Sequence, residues 1–353
     1  MRPRMSDAPT QSAHRASATA TSGSGSSAPL GKPEEPISTT KTGTPKTVVR
    51  PGDRIFTSLA TGSALAITVL IAAIGFFLVW RAVPALSRNE ANFLFSRQWV
   101  TTDLNAMAFG VLDLFQVTVM VALFALVIAM PISLGIAIFL TQYSPKRLRG
   151  PLAYIIDLLA AVPSIVYGLW GLLVLAPAIA PVAVWLNENL SWIFLFSDGT
   201  GNIASGGTIF TAGIVLAVMI LPIITAVTRE VFVQTPKANI EAALALGATR
   251  WEVVRITVIP FGKSGYISGS MLGLGRALGE TIALYLILRT TSQAFGYSLF
   301  DSGSTIASKI ALGYAEFNND IQAGAYIAAG LVLFVLTFVV NAGARAAVAG
   351  KKA

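Results

Sequence analysis

The run FTSLATGSALAITVLIAAIGFFLVW, Phe56 to Trp80, holds 25 residues without a charge. A helix rises 1.5 Å per residue and a bilayer core is about 30 Å thick, so about 20 such residues cross it. Working outward, similar runs recur at roughly 113–141, 151–180, 208–229, 264–289 and 322–344. They predict an all-α integral membrane protein of about six transmembrane helices. The third run contains Pro163, Gly168 and Pro177 and is expected to be kinked. The stretch from Pro181 to Phe196, with Asn187, Glu188 and Asn189 among aromatics, reads as an interfacial helix too polar and short to span.

Composition agrees: only 12% of the 353 residues are charged, against roughly 25% in soluble domains. Cysteine is absent, which excludes disulfides, thiolate metal sites and thiol catalysis. The single histidine, His14, lies in a polar tail, so the folded part has no histidine chemistry and no metal site is expected. Residues 1–52, rich in Ser, Thr, Ala, Pro and Gly, are expected to form a disordered tail, because they offer too little apolar surface to offset ordering. No basic stretch followed by an apolar run stands near Met1, so the tail is expected to be retained.

The surplus of 25 Lys and Arg over 17 Asp and Glu does not read as a nucleic-acid surface, since most of the basic residues lie in the tail or flank apolar runs. They do fix an orientation. With the tail inside, 19 fall in inside segments and 4 in outside ones. Cytoplasmic loops are enriched in Lys and Arg, so both termini are expected in the cytoplasm.

Residues 230–263 form the longest inside connection between spans. Thr235 before Pro236 predicts a helix start, and Gly247 is placed to end that helix in the left-handed conformation. Thr249 and Glu252 have the spacing of a capping box for a second helix, expected to stop before Pro260. Two short helices joined at Gly247 are therefore expected. Gly262-Lys263-Ser264 resembles the end of a phosphate-binding loop, but Thr257 stands where its first Gly belongs and no strand precedes it.

The fifth run carries Arg276 and Glu280 near its middle. An ionisable residue at that depth costs roughly 2.5–3.5 kcal/mol on insertion scales, so it is expected to face protein or water. Continuous helix would put both on one face, four residues apart, as a partly neutralised pair. Gly269 and Gly273, then Gly275 and Gly279, give two G-x-x-x-G spacings for close helix approach. Packing is thus provided for without the charged pair, which favours a role for Arg276 and Glu280 in a solute pathway. Asp113 and Asp157 also fall in apolar runs and receive no assignment.

The string EAALALGATRWEVVRITVIP, Glu241 to Pro260, resembles the coupling loop of permease subunits in bacterial ABC importers. Glu241, Ala242 and Ala243 match its Glu-Ala-Ala, Gly247 its glycine and Ile259-Pro260 its apolar-proline pair; Thr257 departs from a usual Ile or Val. The resemblance implies a type I ABC importer permease fold and a loop that docks on a separate ATP-hydrolysing subunit. LGLGRALGETIAL, PSIVYGLWG and PALSRNEANFLFSRQW resemble the permeases of phosphate-specific importers, the first nearer to the C-type subunit than to its A-type partner, which reads RAAGET. By resemblance, Arg276 and Glu280 belong to the phosphate path. The implied partners are an A-type permease, two ATP-binding subunits that hold ATP and Mg, an extracytoplasmic phosphate-binding protein and the lipid bilayer of a bacterial cell membrane. No catalytic residue and no cofactor are expected on this chain. The alternatives are a permease for sulfate or molybdate, or a secondary transporter.

Overall fold

The computed structural model describes residues 51–103, 106–291, 293–314, 317 and 319–349, so the predicted tail, apart from Pro51 and Gly52, lies outside the described residues. Chain contacts divide after Leu59; the residues 51–59 are helical, and residues from Ala60 onward form the other unit. Twelve α-helices and a two-stranded hairpin are described: α1 (Pro51–Leu86), β1 (Trp99–Val100), β2 (Ala108–Phe109), α2 (Leu112–Ile138), α3 (Lys146–Ala160), α4 (Ser164–Trp170), α5 (Ala176–Leu190), α6 (Ile209–Val233), α7 (Lys237–Ala245), α8 (Arg250–Val253), α9 (Ile259–Leu278), α10 (Ile282–Ile287), α11 (Ile306–Gly313) and α12 (Asp320–Ala349).

Helices α2, α6 and α9 make the packed centre, where Val121, Ala125, Val215, Met219, Ile220 and Leu274 meet. In the most apolar window of each helix, 72% of α6 is buried but none of α1. Lipid is as apolar as leucine, so the uncovered Leu65, Val69, Phe76 and Phe77 of α1 suit a helix that faces acyl chains. Among the described residues, five helical stretches are long and apolar enough to cross a membrane. The predicted fifth span is not one of them.

That span is broken. Helix α9 stops at Leu278 with Gly279 as its C-cap, and α10 restarts at Ile282. Hydropathy over 264–289 records the apolar residues but cannot register a break of three residues. The third span is also displaced from its predicted place: it runs from Ser164 to Leu190. Pro163 caps α4 in extended geometry and ends α3, because the residue before a proline is pushed out of helical geometry. Helix α3, with Lys146, Arg147, Arg149 and Asp157, becomes a separate amphipathic element. The predicted interfacial helix is instead the continuation of this span, with Asn187, Glu188 and Asn189 in its last turn. There Asn187 Nδ2 donates to Phe196 O and to Asp198 Oδ1, each at 3.1 Å.

Three π-helical turns, Phe139–Tyr143, Gly171–Leu175 and Val254–Val258, are inserted where helices meet. The last corrects the expectation that the second loop helix ends before Pro260. A proline inside a helix lacks an N–H and crowds the carbonyl four residues back. The wider π turn leads directly into α9 with Pro260 in its first turn, where that N–H is not needed. Gly262-Lys263-Ser264 is accordingly internal to α9 rather than a phosphate loop.

Side chains close the hairpin end of the bundle. Asn89 acts as a third strand: its Nδ2 donates to Phe109 O at 2.7 Å and its Oδ1 accepts from Phe109 N–H at 3.0 Å. Buried Asp301 accepts N–H groups from Thr200, Gly296 and Ser298 at 2.8–3.0 Å, which joins the loop before α6 to the loop after α10. No local pattern in the sequence signals that carboxylate, because its partners lie up to 101 residues away.

Candidate functional site

The break between α9 and α10 brings together two of the strings that stand out in the sequence. A Cβ on Gly168 would lie 2.8 Å from Ala283 Cα, and one on Gly171 would lie 2.5 Å from Val215 Cγ2 and 3.0 Å from Ile287 Cδ1. The PSIVYGLWG segment thus packs against α10 at a distance that only glycine permits. Tyr167 donates its hydroxyl to Leu159 O at 2.9 Å and lies within electrostatic reach of Arg276.

Arg276 occupies the last turn of α9 and is half-buried. Among the described residues its guanidinium has no hydrogen-bond or ion-pair partner, and the predicted pairing with Glu280 is absent. The helix ends between the two residues, so they do not share a helical face. Glu280 is 8% exposed, and its Oε1 accepts the Ala283 N–H at 3.3 Å, filling one of the donors that α10 leaves open at its start. Thr281 Oγ1 donates to Gly279 O at 3.1 Å on the other side of the break. Non-helical backbone inside a membrane bundle persists when its polar groups find such partners.

The glycine spacings divide in the same way. A Cβ on Gly269 would stand 3.1 Å from Val227 Cβ, and one on Gly273 would stand 2.8 Å from Ile224 Cγ1, so the first pair is the seam between α9 and α6. The second pair is not a seam. Gly275 has nothing within 4 Å and Gly279 is the end of the helix.

At the opposite end of α6, the 235–260 loop is the expected pair of helices. Gly247 has φ +85°; its N–H bonds Leu244 O at 2.9 Å, and the Ala248 N–H bonds Ala243 O at 3.2 Å. These two bonds are the Schellman termination of α7. The capping box is present: Glu252 Oε2 accepts Thr249 N–H at 2.7 Å and Oγ1–H at 2.8 Å. Those bonds, the backbone one foremost, hold the Glu252 carboxyl below its usual range. The cap contributes fully above the ordinary carboxylate pKa and is lost as pH falls through the lowered one. Thr235 does not cap α7; Pro236 takes that position, and Thr235 Oγ1 is buried without a hydrogen bond. Glu241 and Ala242 are exposed while Ala243 is buried beneath the corner. The corner presents Leu246, 90% exposed, beside exposed Leu244 and Trp251.

Two unassigned aspartates acquire partners that spacing could not reveal. Asp157 Oδ2 lies 3.5 Å from Arg229 Nη2 and ties α3 to α6. Asp113 Oδ1 lies 3.6 Å from Arg97 Nε at the hairpin end.

Residues 129–351 match the model of the binding-protein-dependent transport system inner membrane component. The chain belongs to this family. It is therefore a multi-pass membrane permease that works with ABC transporter partners. The permease is 57% identical over 302 residues to the phosphate transport system permease protein PstC 2 of Mycobacterium tuberculosis, covering 86% of this chain and 93% of that protein. It is 56% identical over 304 residues to PstC of Mycobacterium leprae, covering 86% and 95%. Against PstC of Haemophilus influenzae the identity is 42% over 283 residues, covering 78% and 87%.

Proposed function

We propose that this permease is the C-type membrane subunit of an ATP-driven phosphate importer, in which it forms half of the path. It is a transport subunit, and ATP with Mg is held by partners. The complete assembly on this reading contains an A-type permease, two ATP-binding subunits and an extracytoplasmic phosphate-binding protein. The observation that carries the reading is the half-buried, unpartnered Arg276 at a helix break, in a chain 57% identical to a phosphate permease. A guanidinium offers a planar fork matched to oxyanion oxygens. Glu280 acts beside it by holding the start of α10. The loop corner at Gly247, with Glu241, Ala242 and Ala243 leading into it, is the docking element for an ATPase.

Uptake of labelled phosphate should require an ATP supply and resist a large excess of sulfate or molybdate. Competition by sulfate at equal concentration would replace phosphate with a broader oxyanion, and uptake without ATP would point to a secondary transporter. The asymmetry of 19 basic residues against 4 supports an orientation with both termini and the Gly247 corner in the cytoplasm. In this cysteine-free chain, Thr249→Cys should resist an impermeant thiol reagent in intact cells while Gln293→Cys reacts. Labelling of Thr249→Cys from outside would reverse the orientation.

A further inference from the structure

We propose that α3 is a docking surface for anionic phospholipid, lying along the inner face of the bilayer with its basic end among the headgroups. The inference goes beyond the transport reading and does not depend on which solute is carried; it uses only the orientation with the Gly247 corner inside. Helix α3 has 15 residues, about 22 Å at 1.5 Å each, too few to cross a core about 30 Å thick. It follows the inner end of α2 and packs against α6 and the π turn at Phe139–Tyr143.

Residues advance by about 100° around a helix, which divides α3 into three sides. Ala153, Ile156 and Ala160 are half-buried on the side against α6, where Arg149 Nη2 also donates to Thr141 O at 2.8 Å. Leu148, Tyr154, Ile155, Leu158 and Leu159 occupy the far side and are 44–64% exposed. Lys146, Gly150 and Asp157 form the edge between these two sides. A connector resting on the bundle needs only its first side apolar. An apolar far side with a polar edge is the pattern of a helix in a membrane interface, where protein, acyl chains and water each meet one side.

Charge selects the lipid. Lys146, Arg147 and Arg149 crowd the first turn, which holds no acidic residue. A helix start carries positive partial charge of its own, so three cations there are unfavourable unless an anion is close. Among the described residues, the side chains of Lys146 and Arg147 have no hydrogen-bond or ion-pair partner and are exposed. Arg147 projects from the apolar side, where its stem can lie along acyl chains while the guanidinium reaches a phosphate. The single acidic residue of α3, Asp157, stands near its other end, 3.5 Å from Arg229, which offsets its repulsion for headgroups. A protein partner would have to bring acidic groups to this end of the helix, whereas the inner leaflet presents anionic headgroups throughout.

The test uses the permease assembled with its partner subunits in vesicles of equal phosphatidylglycerol and phosphatidylcholine. Ile155→Cys in this cysteine-free chain carries a fluorophore, and the assembly of the unaltered chain gives the background from its partners' thiols. Bromine, a contact quencher, is placed on the acyl chains of one lipid or the other. Brominated phosphatidylglycerol is expected to quench about fivefold more strongly, the factor that about 1 kcal/mol for one Lys or Arg near an anionic surface supplies. Lys146→Gln together with Arg147→Gln should bring the two lipids level. So should 1 M salt with both residues intact, since it screens exposed charge to about 3 Å. Leu158→Cys, on the same side, is the second reporter if Ile155→Cys does not assemble. Equal quenching by both lipids at low salt would leave an apolar contact without headgroup recognition and overturn the proposal. Quenching by neither would place protein or water against this side and overturn it too. Both leaflets have one composition and no solute is moved, so the result is independent of the phosphate reading.

Discussion

Arg276→Gln is expected to abolish phosphate uptake while the permease still inserts and assembles. The residue is half-buried at the end of α9, and no described residue uses its guanidinium, so the substitution leaves no protein partner stranded. What it removes is attraction for an anion. Two unit charges 4 Å apart at an effective dielectric constant near 20 interact by about 4 kcal/mol, which corresponds to roughly a thousandfold in rate. Arg276→Lys keeps the charge but loses the fork, and should restore uptake only in part. Glu280→Gln should be far milder, because an amide oxygen can still accept the Ala283 N–H. The measurement is initial uptake of labelled phosphate normalised to permease abundance. Normal uptake by Arg276→Gln at natural abundance would remove Arg276 from the path.

Gly247→Val is the second large effect. Its φ of +85° excludes a β-branched residue at a cost of about 1–3 kcal/mol. Nothing lies within 4 Å of the position a Cβ would take. The penalty is therefore wholly in the backbone, and the corner must reshape to escape it. Insertion and abundance should be unaffected, because the corner is exposed and far from the packed centre. Co-purification of the ATPase, uptake or both should fall. A series isolates the cause: Asn tolerates this conformation best, Ala less and Val least. If Val, Ala and Asn all couple as well as Gly, the corner's shape is irrelevant and the loop is a connector.

Legibility in the sequence follows the range of the interactions. The capping box at Thr249 and Glu252 and the left-handed Gly247 depend on neighbours three to five residues away, and both are read correctly. The spans are legible as apolar mass, but their interruptions are not. A hydropathy window cannot distinguish a straight 264–289 helix from α9, a break and α10. It also drew the third span from 151 to 180, where the extended geometry at Pro163 shifts the crossing to 164–190. Thr235 fails as a cap because Pro236 occupies the position to which a cap belongs. The pairing of Arg276 with Glu280 fails because it assumed continuous helix. Arg97 with Asp113, Asp157 with Arg229, and Asp301 with Thr200 join remote segments, and only the folded chain brings them together.

The π turn at Val254–Val258 has a consequence for phase. Each residue of an α-helix advances the angular position by about 100°, so the one extra residue sets the azimuth of everything after it. With that residue, Gly262, Gly269 and Gly273 face Phe232, Val227 and Ile224 of α6. Without it, the same glycines would swing roughly a quarter-turn away and bulkier side chains would enter the seam. The helical turns from Arg250, just after the Gly247 corner, to Leu278 at the Arg276 end of α9 are thus one shaft whose indexing is fixed by a single residue. On the proposed reading, a rotation imposed at the corner would reach Arg276 with that offset already built in.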